Sequence, residues 1–241
     1  MNWLAKLIIS LLSYIPEFLL QACLFLLFEF KLIYKTTDGK RLLNNISKIL
    51  KISKHDFSRV VFAKKVISHQ IYSFFEMIKT LNHPEKIQIQ GLDEFSKVMQ
   101  EIESKSRGQI LITAHLGNWE FLGKYCSQVT HRKFFALAKP ASSSIANHMM
   151  NQIRTKLGIS IIWTGKKTLQ RELIKVLKNK DWLAFVMDQR PQNDRGPEVD
   201  FFDKKTFFVS GPASMAIRYQ CPVIAAFCIR TSPLHYKIIY K

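Results

Sequence analysis

The sequence has few cysteines, and none of them is spaced for a metal site. The four cysteines form no C-x-x-C pair and no His/Cys pattern of the zinc-binding kind. The G-x-S-x-G signature of serine esterases is also missing. No metal site is therefore predicted. The thiols suit a reducing compartment, where they serve as small apolar side chains.

Acidic residues are scarce as well. The chain of 241 residues carries 36 Lys and Arg against 18 Asp and Glu, a formal net charge of +18 at pH 7. Such an excess predicts anionic partners. No nucleic-acid motif and no interleaved base-stacking pattern is present, so we expect no nucleic acid among them. A basic, non-enzymatic protein that binds a membrane surface or nucleic acid stays open as an alternative of a different class.

The N-terminal segment lacks the small-residue cleavage site of a signal peptide. It is the most apolar part of the chain, and Phe18–Phe28 is especially rich in Leu and Phe. Its length is near the roughly 20 residues that a spanning helix requires, and Pro16 and Glu17 near the middle leave a kinked or interfacial anchor as an alternative. We predict that residues 1–30 form an uncleaved membrane anchor.

The next segment, residues 31–86, combines basic charge with helical periodicity. Between Lys31 and Lys79 lie eleven Lys or Arg and three acids. Apolar residues recur at helical intervals, which predicts amphipathic helices lying on a protein core or on the bilayer surface. By the positive-inside tendency this flank belongs in the cytoplasm. The alternative is that the lysines only solvate an ordinary helical face.

Residues 87–241 alternate between strand and helix patterns, which predicts an α/β domain with a mixed sheet flanked by helices. The long connection Asp188–Val209 breaks the alternation, and ordered loops of this length are often functional. The predicted strands are Ile110–Ala114, Phe134–Leu137, Ile159–Ile162, Leu183–Met187, Val223–Cys228 and Tyr236–Tyr240. The predicted helices are Asn118–Val129, Ser143–Leu157, Lys167–Lys178 and Pro212–Tyr219.

The stretch Gly108–Gly123 carries the candidate chemistry. His115 stands where a buried strand ends, Gly117 permits a sharp turn, and Asn118 is a plausible helix N-cap. Glu120 falls in the first turn of that helix. A histidine can act as general base toward a hydroxyl, and a carboxylate on its other nitrogen fixes the tautomer. The alternative is that His115 caps a strand and Glu120 only decorates a helix.

Two ordered blocks resemble one family. The sequence H-L-G-N-W-E at His115–Glu120 is similar to the His-x4-Glu motif of bacterial lipid A biosynthesis acyltransferases, the lauroyl/myristoyl transferase family of the glycerolipid acyltransferase type. The second block resembles the family's D-Q…G…V-x-F-F-G…G-P-A-x-x-A region. It consists of Asp188, Gln189, Gly196, Val199, Phe201, Phe202, Gly211, Pro212, Ala213 and Ala216.

The resemblance implies a glycerolipid-acyltransferase-like fold and an O-acyltransferase of the inner membrane, whose catalytic domain faces the cytoplasm. It implies that His115, oriented by Glu120, deprotonates a hydroxyl of a lipid A precursor. That oxygen then attacks an acyl thioester of acyl carrier protein or coenzyme A, and no cofactor stays bound. The expected partners are a phosphorylated glycolipid, acyl carrier protein and inner-membrane lipids. The residues expected to bind substrate are Asn118, Lys139, Arg154, Asp188 and Gln189.

Other outcomes within this resemblance stay open. The acceptor can instead be another glycolipid, such as a phosphatidylinositol mannoside. Relatives usually continue several dozen residues beyond the point that matches Lys241, so the domain is expected to lack the family's C-terminal segment. A form that ends here is expected to have an uncovered sheet edge, lower stability and weak or no activity, which leaves an inactive membrane-surface protein as an alternative.

Overall fold

A computed structural model describes residues 2–29, 32–81, 83–105, 107–141, 143–191 and 196–241. The N-terminal part is helical, as the periodicity predicts. Its helices are α1 (Asn2–Ser13), α2 (Glu17–Glu29), α3 (Leu32–Lys35), α4 (Thr37–Ile49) and α5 (Ser58–Lys79).

The remainder alternates between strands and helices. The elements are β1 (Gln88–Gln90), α6 (Leu92–Ser104), β2 (Gln109–Thr113), α7 (Trp119–Val129), β3 (Phe134–Ala138), α8 (Ser144–Lys156), β4 (Ser160–Trp163), α9 (Leu169–Lys178), β5 (Trp182–Val186), β6 (Glu198–Phe201), β7 (Lys204–Phe207), α10 (Gly211–Tyr219), β8 (Val223–Ser232) and β9 (His235–Tyr240). The predicted elements from β2 onward are present, with ends shifted by at most a few residues. Sequence reasoning missed β1, α6 and the β6–β7 hairpin. Residues 192–195 of the predicted long connection lie outside the described part.

The strands form a mixed sheet in the order β1-β9-β8-β2-β5-β3-β4, and β6 pairs separately with β7. Strand β2 lies in the middle and runs parallel to both neighbours, β5 and β8. The β8–β9 pair is antiparallel. The predicted mixed sheet flanked by helices is therefore confirmed.

Apolar residues cover both faces of the sheet. On β2, Ile110 packs with one buried cluster, together with Leu183 of β5 and Leu173 of α9. Its neighbour Leu111 packs with the other cluster, beside Phe121 of α7. Successive side chains of a strand point to opposite faces, so an uninterrupted apolar strand fits a sheet that is covered on both sides.

The N-terminal apolar segment is bent. Among the described residues no single helix is both long and apolar enough to cross a bilayer. Leu7–Ser13 and Phe18–Phe28 meet that criterion only when taken together, and the two are bent by 97°. Pro16 lies at the break, where its ring and missing N–H prevent a continuous helix. The predicted anchor over residues 1–30 stays a prediction.

Candidate active site

Three predicted site residues meet at one edge of the sheet. His115 lies two residues after β2, Lys139 directly after β3, and Asp188 two residues after β5. These strands are parallel neighbours, in the order β2-β5-β3. Their carboxyl ends therefore open onto the same edge, which is where open α/β sheets bind their ligands.

His115 is held by Asp188. One carboxylate oxygen of Asp188 accepts from the backbone N–H of His115 at 3.0 Å, and the other lies 2.8 Å from Nδ1 of the imidazole. A carboxylate only accepts, so Nδ1 carries a proton. About a third of each side chain is exposed, at 35% and 37%. In the neutral form of the ring, Nε2 is then left as the acceptor.

Glu120 does not occupy the position predicted for it. Its carboxylate forms a two-point ion pair with Arg154 of α8, with an Nη2–Oε1 distance of 2.6 Å and Nε–O distances of 3.1 Å. The pair is largely buried. The expectation that Glu120 orients His115 is therefore corrected: Asp188 orients the imidazole, and Glu120 fastens α7 to α8. The planar guanidinium matches a carboxylate better than a ring nitrogen does.

The turn after His115 has little freedom. Gly117 has a positive φ of 66°, and a Cβ there would lie 2.0 Å from the carbonyl oxygen of Cys228. The next residue, Asn118, donates its backbone N–H to that same carbonyl at 2.8 Å. The close approach to β8 requires glycine, and it fixes where the imidazole leaves the sheet.

Asn118 is a structural residue in this arrangement. Its side-chain oxygen accepts from the N–H of Phe121 at 3.1 Å, which caps α7 as predicted. Its amide nitrogen donates to the carbonyl of Ser73 in α5 at 3.0 Å. The residue is 4% exposed. Its groups tie α7 to α5 and β8, and the expectation that Asn118 binds substrate stays a prediction.

Sequence reasoning gave no role to Trp119, although it lies within the quoted motif. Its ring meets the imidazole of His115 edge to face, with centroids 4.7 Å apart and planes at 77°. His115 therefore lies between a carboxylate and an aromatic ring. The sequence did contain a signal for this contact, because Trp119 is the first residue of α7 and lies only four positions after His115.

Two cavities meet at this turn. The first, which we call the helical cavity, has a volume of about 470 Å³ and is lined mainly by apolar side chains, most of them on α2 and α5. The second, the sheet cavity, has about 340 Å³ and lies over β2, β5, β3 and β4. Trp119 and Glu120 line both. Volumes of this size are typical of small-ligand sites.

The sheet cavity is lined by the other residues that were predicted to bind substrate. Lys139, Arg154 and Gln189 line it together with His115. Thr113 lines it too, and its buried hydroxyl has no hydrogen-bond partner in the described part of the chain. Sequence reasoning missed Thr113, because an isolated threonine in an apolar strand carries no distinctive pattern.

The buried cysteines Cys126 and Cys228 are unsuited to nucleophilic chemistry at this site. Burial raises the pKa of Cys228 to about 12, and it raises the pKa of Cys126 well above its usual value. A thiol reacts as the thiolate, so both are inert at neutral pH. Among the described residues no group of three or more His, Cys, Asp or Glu side chains could hold a metal ion.

We predict that Asp188→Asn strongly impairs the ability of His115 to act as a base. An amide has only one accepting oxygen, so either Nδ1–H or the backbone N–H of His115 would face an NH2 donor. The imidazole would lose its tautomer and its orientation, and kcat should fall by about 10²-fold or more. The pH profile of kcat/KM measures this. An unchanged rate and profile would contradict the assigned role.

The sequence matches known proteins over its whole length or over part of it. The model of the family described as bacterial lipid A biosynthesis acyltransferase matches residues 1–241. The phosphatidylinositol mannoside acyltransferase of Mycobacterium tuberculosis (strain ATCC 25618 / H37Rv) is 24% identical over 157 residues, 63% of this chain and 48% of that protein. Its counterpart in Mycolicibacterium smegmatis (strain ATCC 700084 / mc(2)155) is 25% identical over 123 residues, 51% of this chain and 40% of that protein. The chain thus spans about half the length of these relatives or less.

Proposed function

The chain belongs to the bacterial lipid A biosynthesis acyltransferase family, and from this we propose that it is an O-acyltransferase that moves a fatty acyl chain from a thioester to a glycolipid hydroxyl. The family that the two motifs predicted is confirmed. The observation that carries the proposed activity is the His115–Asp188 pair, in which Asp188 occupies Nδ1 while His115 lines the sheet cavity.

In the proposed mechanism, Nε2 of His115 accepts the proton of the acceptor hydroxyl. The hydroxyl oxygen attacks the thioester carbonyl at the same time. Asp188 stabilises the imidazolium that forms. When the tetrahedral intermediate collapses, the C–O bond stays and the C–S bond breaks. The imidazolium then gives its proton to the departing thiolate, which restores the neutral ring.

The negative charge on the intermediate requires donors. The first backbone N–H groups of α7, those of Trp119 and Glu120, have no partner within the helix. They lie directly after the turn that holds His115, and the helix dipole favours an anion there. We assign the oxyanion site to these two groups, at the helix start that Asn118 caps. Removal of one such donor typically costs about 10²-fold in rate.

The helical cavity suits the acyl chain. Its lining is apolar, including Leu24 of α2 and Phe74 of α5, and it ends at Trp119 beside the imidazole. An acyl chain bound there would bring its thioester carbonyl to the start of α7. The sheet cavity, with Lys139 and Arg154 in its wall, would then receive the polar acceptor. Lysine suits a phosphate as a point charge.

Cys23 offers a test of this assignment. It is exposed and lines the helical cavity, whereas Cys126, Cys221 and Cys228 are buried. We predict that a fluorescent maleimide labels Cys23 selectively in the folded protein, and that a non-hydrolysable acyl thioester analogue slows this labelling. Cys23→Ser is the matched control and should remain unlabelled. Labelling that is indifferent to the analogue would argue against an acyl chain in this cavity.

The acceptor we propose first is a lipid A precursor, with acyl carrier protein or coenzyme A as donor. A phosphatidylinositol mannoside is the second candidate, since the curated relatives carry that name. Purified protein should be offered each acceptor with each donor, and the products analysed by mass spectrometry. Mass spectrometry of lipids from cells with and without the gene gives the complementary result. Acylation of neither acceptor would overturn the proposal.

For localisation we propose the inner membrane, with the catalytic domain on the cytoplasmic side. The basic flank after the apolar segment supports this orientation. A reporter fused to Lys241 should be active only if it is one that functions in the cytoplasm. Periplasmic activity of the fusion would contradict the orientation.

A further inference from the structure

The β6–β7 hairpin presents aromatic side chains to solvent at its tip. Phe201 is 48% exposed and Phe202 is 55% exposed. The two residues of the tight turn, Phe202 and Asp203, both have positive φ, at 50° and 59°. Turns of this kind favour Asn and Gly, and a bulky residue with positive φ is unusual. The turn geometry therefore does not account for a phenylalanine at this position.

The aromatic tip is ordered by its own contacts. The ring of Phe201 lies edge to face with that of Phe202 at 4.6 Å between centroids, and with that of Phe208 at 5.6 Å. At the base of the hairpin, Phe208 donates its N–H to the carbonyl of Pro197 at 3.1 Å. The two exposed rings are thus held at the end of a short, supported projection.

An ion pair joins the tip to the corner between α4 and α5. Asp203 contacts Lys51 at 2.5 Å, and Lys51 lies two residues after α4. The same corner exposes apolar residues, among them Leu50 and Phe57, and Phe57 is 72% exposed. We call this combined area the hairpin-corner surface. Its exposed apolar residues are Ile49, Leu50, Phe57, Phe201 and Phe202.

The charges around this surface are mainly positive. Lys48, Lys51 and Lys54 surround the corner, and the exposed face of α5 adds Lys64 and Lys65. Asp203 is paired with Lys51, and Asp200 is paired with Lys205. Apolar tips surrounded by lysines fit a lipid interface, because the rings can enter the acyl boundary while ammonium groups meet phosphates.

We propose that the hairpin-corner surface docks on a bilayer that contains anionic lipid, with the rings of Phe201 and Phe202 inserted below the headgroups. Each Lys or Arg near an anionic leaflet adds attraction, which falls off within the Debye length. The contact adds to whatever membrane binding α1 and α2 provide. It depends on the exposed surface alone and not on acyl transfer, so failure of the enzymatic proposal would leave it intact.

Depth-dependent quenching tests the insertion directly. The full chain with Phe202→Trp is bound to vesicles of phosphatidylcholine and phosphatidylglycerol that carry brominated acyl chains. The added fluorescence, measured against the parent protein, should be strongly quenched. Ile217→Trp is the matched control, because Ile217 of α10 is 80% exposed on a different element. The proposal is overturned if the tryptophan at position 202 is quenched no more than the one at position 217.

Affinity gives the second test. Phe201→Ser combined with Phe202→Ser should weaken partitioning of the full chain to these vesicles about tenfold, because two half-exposed rings lose their burial in lipid. Ile217→Ser should change it little, and urea unfolding of both variants checks that the fold is kept. An unchanged affinity of the double variant overturns the proposal. The proposal is also overturned if the double variant loses binding to an acidic carrier protein while its binding to vesicles is unchanged.

Discussion

Purified His115→Ala should lose acyl transfer by about 10²–10⁴-fold or more while its fold is retained. That range is the usual contribution of a positioned general base. His115 is partly exposed, and its imidazole contacts Asp188 and Trp119 at the surface of the sheet edge, so its removal leaves no buried cavity. The loss should appear in kcat more than in KM, because the base acts in the transition state.

Two matched variants sharpen this result. His131→Ala changes another exposed histidine and should keep the parent rate. His115→Gln keeps a side chain that can donate to Asp188, yet it supplies no base and should be nearly as inactive as His115→Ala. Near-normal turnover by either His115 variant would refute the mechanism, whereas an inactive His131→Ala would point to misfolding.

The sequence was sufficient to place the histidine. The apolar run of β2 ends two residues before His115. Gly117 and Asn118, which follow, predict a turn and a helix cap. These are local signals with a local physical cause. The same holds for most helices and strands after residue 108, whose ends differ from the predicted ones by a few residues at most.

The partner of the histidine depends on the order of the strands. His115 and Asp188 are 73 residues apart, and they meet because β2 and β5 are adjacent, with Thr113 opposite Val186. Each residue lies two positions beyond that pair. No local sequence pattern predicts which strands become neighbours in the sheet. Glu120 was the nearest carboxylate in sequence, but the helix directs it to Arg154 on α8.

The hairpin shows a different limit. Strands β6 and β7 are exposed along most of their length and carry charged residues. The alternation of β6 (E-V-D-F) covers only four residues, and β7 (K-K-T-F) does not alternate, so neither strand was predicted. The phenylalanines were visible in the motif V-x-F-F, but their exposure follows only from the turn between the strands. Burial therefore could not be inferred from hydrophobicity at this position.

Glu120→Ala should lower the free energy of unfolding by about 3–5 kcal/mol, because it leaves the charge of Arg154 largely buried without its partner. That is a large part of the roughly 5–15 kcal/mol by which domains are stable. Urea unfolding measures it, and Glu101→Ala is the matched control. Glu101 pairs with Lys105 on the surface, where both side chains are about two-thirds exposed, so its loss should change the free energy of unfolding far less than the loss of Glu120.

Replacing both partners separates the structural role from a chemical one. In Glu120→Leu with Arg154→Leu no unpaired charge remains, and much of the lost stability should return. If the ion pair only fastens α7 to α8, this double variant should also recover part of the activity that Glu120→Ala loses. If Glu120 instead acts on substrate, the double variant should regain stability in the same way yet stay as inactive as Glu120→Ala. That combination would return Glu120 to the chemistry from which the structure removes it.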